Sequence, residues 1–230
     1  MSIIRNYWST SLRNLLKYKA YSAINIAGLG IGIATAILIF LFVQDELSFD
    51  KGNEKYDRIY RVYIRGKFQG GEFNGAVSNG PIGPTMVQEI PSVESYTRLF
   101  TLAGEPIVRY ENQTFVEKMF YYSDSTFLDV FTVPLVKGDR DNFLKRPQTL
   151  VLTEETARKY FGEEDPIGKV LEVGEDRRAF EVVGVVKSMP ATSHFSFNML
   201  ASGSTIFDNQ NQLWISNNNY TYVVLREGAS

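Results

Sequence analysis

The chain has 230 residues, 44% of them hydrophobic, 13% aromatic and 22% charged, with a net charge of −2, one histidine and no cysteine. This composition excludes a disordered tail, a collagen-like repeat and a disulfide-stapled miniprotein, and the absence of a Lys/Arg excess argues against nucleic acid as a partner. Without cysteine there is no thiol catalysis, no Cys-ligated zinc and no iron–sulfur cluster.

The averages conceal two unlike parts. Residues 1–44 contain Arg5, Arg13, Lys17 and Lys19 and no acid, for a charge of +4, whereas the remaining 186 residues carry 20 basic and 26 acidic groups. In residues 1–19, Ile4, Trp8, Leu12 and Leu15 recur along one face of a helix and the basic residues lie elsewhere around it. That pattern predicts an amphipathic helix on the cytoplasmic leaflet, in contact with membrane lipid. Residues 20–44 are uncharged, and Ile26–Val43 is apolar or Gly apart from Thr35. A helix over Ala20–Val43 would be about 36 Å long, enough to cross a hydrocarbon core of roughly 30 Å. The apolar run is longer than the h-region of a cleavable signal peptide, which favours an uncleaved anchor. The positive-inside rule then places the N-terminus in the cytoplasm and residues 45–230 outside. Gly28, Gly32 and Ala36 fall at i, i+4 and i+8 and form a smooth face for a second helix. A dinucleotide-binding reading of Gly28, Gly30 and Gly32 lacks the preceding strand that such a site needs.

From Asp45 onward the pattern is that of a mixed α+β domain. Strands are predicted at Ile59–Arg65, Glu94–Phe100, Ile107–Tyr110, Thr114–Tyr122, Gln148–Leu152, Val170–Val173, Phe180–Val186 and Tyr220–Arg226. A short helix is expected at Thr85–Ile90, stopped by Pro91. A second runs over Glu154–Phe161, capped by Thr153 and ended by Gly162. The polar turn Gly174–Arg177 joins two strands, and the Asn/Gln-rich stretch Asn209–Asn219 reads as a loop. No nucleophile elbow, HExxH or phosphate-cradling motif is present. His194, the sole histidine, lies in a Pro-Ala-Thr-Ser-His-Phe loop, where a structural hydrogen-bonding role is expected. Serines and lysines are too numerous for sequence to test a Ser–Lys dyad. No catalytic residue, cofactor or metal is assigned.

Four segments, in order, resemble the permease subunits of MacB/FtsX-like ABC transporters. They are Ile24–Gly32; Phe49-Asp50 followed by Tyr56–Val62; Leu152–Gly162 with Asp165–Lys169; and Val183–Val186 with Met189-Pro190 and Ser193–Phe195. In the third, Tyr160 and Phe161 give a short helix an apolar face, while Gly162, Pro166 and Gly168 shape turns. These residues and His194 are therefore read as structural. The resemblance implies a MacB-like periplasmic core after the first membrane helix, in an inner-membrane permease that is not itself an enzyme. It further implies a dimer of permeases and a cytoplasmic ABC ATP-binding subunit. The output would be export or mechanotransmission, with a periplasmic adaptor or outer-membrane channel as a further partner. On the same resemblance, the chain is expected to be a truncated N-terminal piece. The alternative reading is a single-span anchored sensor or binding module.

Overall fold

The computed structural model describes residues 2–68, 71–101, 104–206, 214 and 216–229. The chain divides into two compact units, Met1–Phe49 and Asp50–Ser230.

The first unit holds α1 (Ser2–Lys17) and α2 (Lys19–Glu46). On α1, Trp8 and Leu15 are exposed, while the side chains of Ile4 and Leu12, members of the expected stripe, lie outside the described residues. The 28 residues of α2 reach about 42 Å. Among the described residues it is the one helix long and apolar enough to cross a membrane, and none of its residues is buried. Thr35, the polar interruption, returns its hydroxyl to the Ile31 carbonyl at 2.9 Å, so it leaves no unpaired donor in an apolar surround.

The second unit is α+β. In chain order its elements are β1 (Ile59–Arg61), β2 (Ile64–Phe68), β3 (Gly71–Gly75), α3 (Ile82–Glu89), β4 (Val93–Phe100), β5 (Ile107–Tyr110), β6 (Gln113–Val116), β7 (Phe120–Ser123), α4 (Phe127–Val130), β8 (Leu135–Gly138), β9 (Thr149–Thr153), α5 (Glu154–Phe161), β10 (Val170–Val173), β11 (Arg178–Val186), β12 (Met199–Ser202) and β13 (Asn219–Leu225). Among the described residues one sheet runs β1-β13-β4-β7-β12-β9-β11-β10-β5-β6, with β8 on the C-terminal half of β11; β2 and β3 form a separate hairpin. The β7–β12 and β9–β11 pairs are parallel and the others antiparallel.

The central strands are buried on both faces. Leu150, Leu152, Met199 and Ala201 enter one core with Tyr160, Phe161 and Phe180. Val151 and Leu200, one residue out of step, enter a second core with Phe127, Phe131, Phe197 and Tyr222. Successive side chains on a strand point to opposite faces, so one run of sequence feeds both cores.

The cap and stop read from sequence are present in α5. Thr153 Oγ1 accepts the Thr156 N–H at 3.3 Å, Glu154 and Glu155 occupy the positive end, and Gly162 turns the chain at φ +60°. Three expected elements differ. The strand predicted at 59–65 is cut after Arg61, because the chain leaves the edge of β13 and pairs next as the β2–β3 hairpin. The strand predicted at 114–122 is two strands separated by a buried Glu117. The helix expected from Thr85 starts at Ile82, where Asn79 Oδ1 accepts the Ile82 N–H at 3.1 Å and Pro84 sits in the first turn, whose N–H groups need no helical acceptor. Within the expected 209–219 loop, residues 209–213 and 215 lie outside the described residues, and Asn219 opens β13.

Candidate functional site

The residues singled out by sequence separate into three places. Gly28, Gly32 and Ala36 are exposed along α2, and a Cβ built on Gly28 or Gly32 meets nothing within 4 Å. The smooth face therefore has no partner among the described residues of this chain. Tyr160, Phe161, Gly162, Pro166 and Gly168 gather at α5 and the turn after it. Tyr160 and Phe161 are buried in the first core, Pro166 is buried, and Gly162 and Gly168 take φ of +60° and +79°. His194 lies beside the second core, on the other face of the sheet.

At His194 the geometry forms a chain of polar contacts. The ring Nδ1 lies 2.8 and 2.9 Å from the two Asp50 carboxylate oxygens, and the His194 backbone N–H donates to the same carboxylate at 3.2 Å. A carboxylate only accepts, so Nδ1 carries the proton. The far nitrogen, Nε2, is 2.8 Å from the Tyr222 hydroxyl, which a neutral ring accepts from and a protonated ring donates to. Phe131, Phe195 and the Tyr222 ring surround the imidazole, with centroids 4.9–6.4 Å away. Asp50, Tyr56, Arg61, Phe131, His194 and Tyr222 line a cavity of about 240 Å³.

An acid, an imidazole and a hydroxyl in line have the outline of a nucleophilic triad, but this hydroxyl is a phenol. Burial pushes it up to about 12, so at neutral pH it is a hydrogen-bonding group rather than a nucleophile. The sign of its contribution to stability follows. An unfolded tyrosine ionises near pH ~10, so the benefit of keeping Tyr222 neutral is complete below that pH and is lost as pH rises toward 12. Tyr96, Tyr121, Tyr122 and Tyr160 are raised as well, each chiefly by burial. The melting temperature is expected to fall steeply between pH 10 and 12, and Tyr222→Phe to reduce that alkaline loss by up to ~2–3 kcal/mol. Equal alkaline losses in the two proteins, measured by thermal melts across that range, would overturn this.

A second polar cluster holds the α5 motif in place. Glu117 is 2% exposed; one of its oxygens accepts from Lys159 Nζ at 2.5 Å and from the Tyr160 hydroxyl at 2.6 Å. Lys159 Nζ also lies 4.3 Å from the centre of the Phe115 ring. Burial, then donation to Glu117, drives the Tyr160 hydroxyl far above the ordinary phenol range. Neither Glu117 nor Asp50 was singled out from sequence as a site residue. A lone acid between Phe115 and Phe120 in a strand-like run is the one local sign that Glu117 is special.

These clusters position strands, a helix and a loop. The sequence model of the MacB-like periplasmic core domain matches residues 22–230. The chain belongs to that family. A domain described as a permease protein from Porphyromonas gingivalis is 31% identical over 79% of this chain and 78% of its own, with a TM-score of 0.69. The periplasmic region of MacB from Actinobacillus actinomycetemcomitans is 21% identical over 75% of this chain and 77% of its own, with a TM-score of 0.55, and shares the fold. No curated protein matches significantly. The MacB-like core domain is a part of ABC-transporter permeases, and this chain carries it together with one candidate membrane helix.

Proposed function

We propose that this chain is the N-terminal part of an inner-membrane ABC permease that couples ATP hydrolysis on a cytoplasmic partner subunit to motion of its extracytoplasmic domain. α2 is the anchor, the N-terminus is cytoplasmic, and residues 45–230 face outward. The output is export or mechanotransmission, with catalysis residing on the ATPase. One observation carries the reading: the family match begins at residue 22, inside α2, and continues through the domain. That the match takes in most of α2 supports reading the helix as an anchor. The +4 charge of residues 1–44 supports the orientation.

The unpartnered face of α2 gives the reading its test. A Cβ at Gly32 meets nothing within 4 Å among the described residues, so an effect of Gly32→Leu on assembly reports a partner helix. The tagged chain, solubilised from its native membrane, is expected to recover a second permease copy and an ABC ATPase. Gly32→Leu should reduce that recovery by about tenfold, a loss of ~1.4 kcal/mol, without altering the domain's circular dichroism. Recovery of neither partner by the unmodified chain would overturn the reading in favour of a single-span sensor or binding module.

A further inference from the structure

α2 ends at Glu46, and residues 47–49 stay wound, with the N–H groups of Leu47, Ser48 and Phe49 donating to Val43, Asp45 and Glu46. The next residue, Asp50, begins the second unit. Its backbone N–H donates to the Thr192 carbonyl at 2.8 Å, and its carbonyl accepts from Asn53 N at 3.1 Å and Nδ2 at 3.2 Å. Its carboxylate takes the His194 ring and backbone N–H, and His194 reaches Tyr222. Tyr222 stands on β13, paired on one side with Arg61 of β1 and on the other with Thr97 of β4.

The backbone of Asp50 points the same way. Its φ is +60°, the left-handed region that glycine enters without penalty and other residues enter at some cost. If the site served only to turn the chain, glycine would do it with less strain. An aspartate here retains a carboxylate, and that carboxylate is spent on His194.

We propose that Asp50, His194 and Tyr222 form the joint through which displacement of α2 is delivered to the central sheet. The inference rests on the coupling reading above. All three are positioning residues. Any pull along the chain from α2 must pass through residue 50, and a hydrogen-bonded route runs from there into the sheet by carboxylate, imidazole, phenol and β13. The side chains of His194 and Asp50 are 31% and 34% exposed, so the joint is accessible to water and can be broken and re-formed under load.

The test uses the full chain in lipid nanodiscs. Because it contains no cysteine, two introduced thiols, Asp45→Cys and Glu227→Cys, can carry the handles of an optical trap and load this route together with the β1–β13 ladder. Detachment of the segment that begins at Asp50 is expected to be about tenfold faster at a given force in Asp50→Gly, which relaxes the backbone and so folds. It should be faster by a smaller factor in Tyr222→Phe, which removes one oxygen, and unchanged in the exposed control Asp129→Asn. Equal detachment rates in Asp50→Gly and the parent would overturn the joint, as would a change matched by an equal fall in global melting temperature. Spectroscopic distances across the domain, with and without ATP in the ATPase complex, separate the two readings. If the parent shows no ATP-driven change, the coupling reading fails whatever the trap reports. If the parent moves and Asp50→Gly moves equally, only the joint fails.

Discussion

Asp124→Ala is expected to destabilise the extracytoplasmic domain by about 3–5 kcal/mol, read as a lower urea midpoint at unchanged slope. Asp124 follows β7 and clasps Arg98 on β4 through two parallel bonds, Nη2 to Oδ1 at 2.6 Å and Nε to Oδ2 at 2.9 Å. It also accepts the Arg98 backbone N–H at 2.9 Å. The guanidinium reaches on to the Gly80 carbonyl at 2.8 Å, tying the approach to α3 to the sheet. With side chains only 11% and 14% exposed, removing one partner strands the other charge where water reaches it poorly. The magnitude comes from that stranded charge and not from the pair itself. The double variant Arg98→Met/Asp124→Leu should therefore recover most of the loss. A single-variant loss below ~1 kcal/mol would mean that the pair behaves as a surface contact.

Phe127→Ala should cost a comparable ~3–5 kcal/mol through the cavity it leaves. Phe127 is 0% exposed at the start of α4 and is ringed by Phe131, Phe143, Phe195 and Phe197, with centroids 5.2–6.3 Å away. Four rigid aromatic rings border the space that Phe127 would leave, and they fill it poorly without backbone movement, so limited collapse is expected. Phe195 follows His194, so the deletion should also loosen the loop that carries His194. Amide exchange across residues 189–198 is expected to accelerate beyond the global loss, while Phe127→Leu costs ~1–2 kcal/mol and leaves that loop protected. Uniform acceleration throughout the domain would show that the ring is core packing with no particular hold on the loop.

Much of the fold was legible in the sequence because the deciding interactions are local. The α2 helix followed from an uncharged apolar run, and α5 from Thr153, its paired glutamates and Gly162. The β10–β11 hairpin followed from two strand-like runs flanking Gly174–Arg177, where Gly174 and Arg177 both take positive φ. Elements set by distant partners were missed. β12, Met199–Ser202, is buried throughout and shows no alternation, since both its faces meet a core. β8 (Leu135–Gly138) exists because the C-terminal half of β11 leaves an edge free, and α4 is a single turn held by its phenylalanines. Neither has a repeat long enough to register as a period.

The site divides along the same line. By itself the sequence determined the long apolar helix, the charge contrast between the two parts of the chain, the spacing of Gly28, Gly32 and Ala36, and the cap and stop of α5. Each depends on residues within a few turns of one another. It also marked His194 as a hydrogen-bonding residue. Which groups His194 would bond was decided by tertiary structure alone: Asp50 is 144 residues away, and Tyr222 is 28 residues further along the chain. The same holds for Glu117, whose partners lie 42 and 43 residues distant. Hydrogen bonds and ion pairs act over a few ångströms in space and carry no period along the chain. Their partners become visible only when the sheet has brought distant strands side by side.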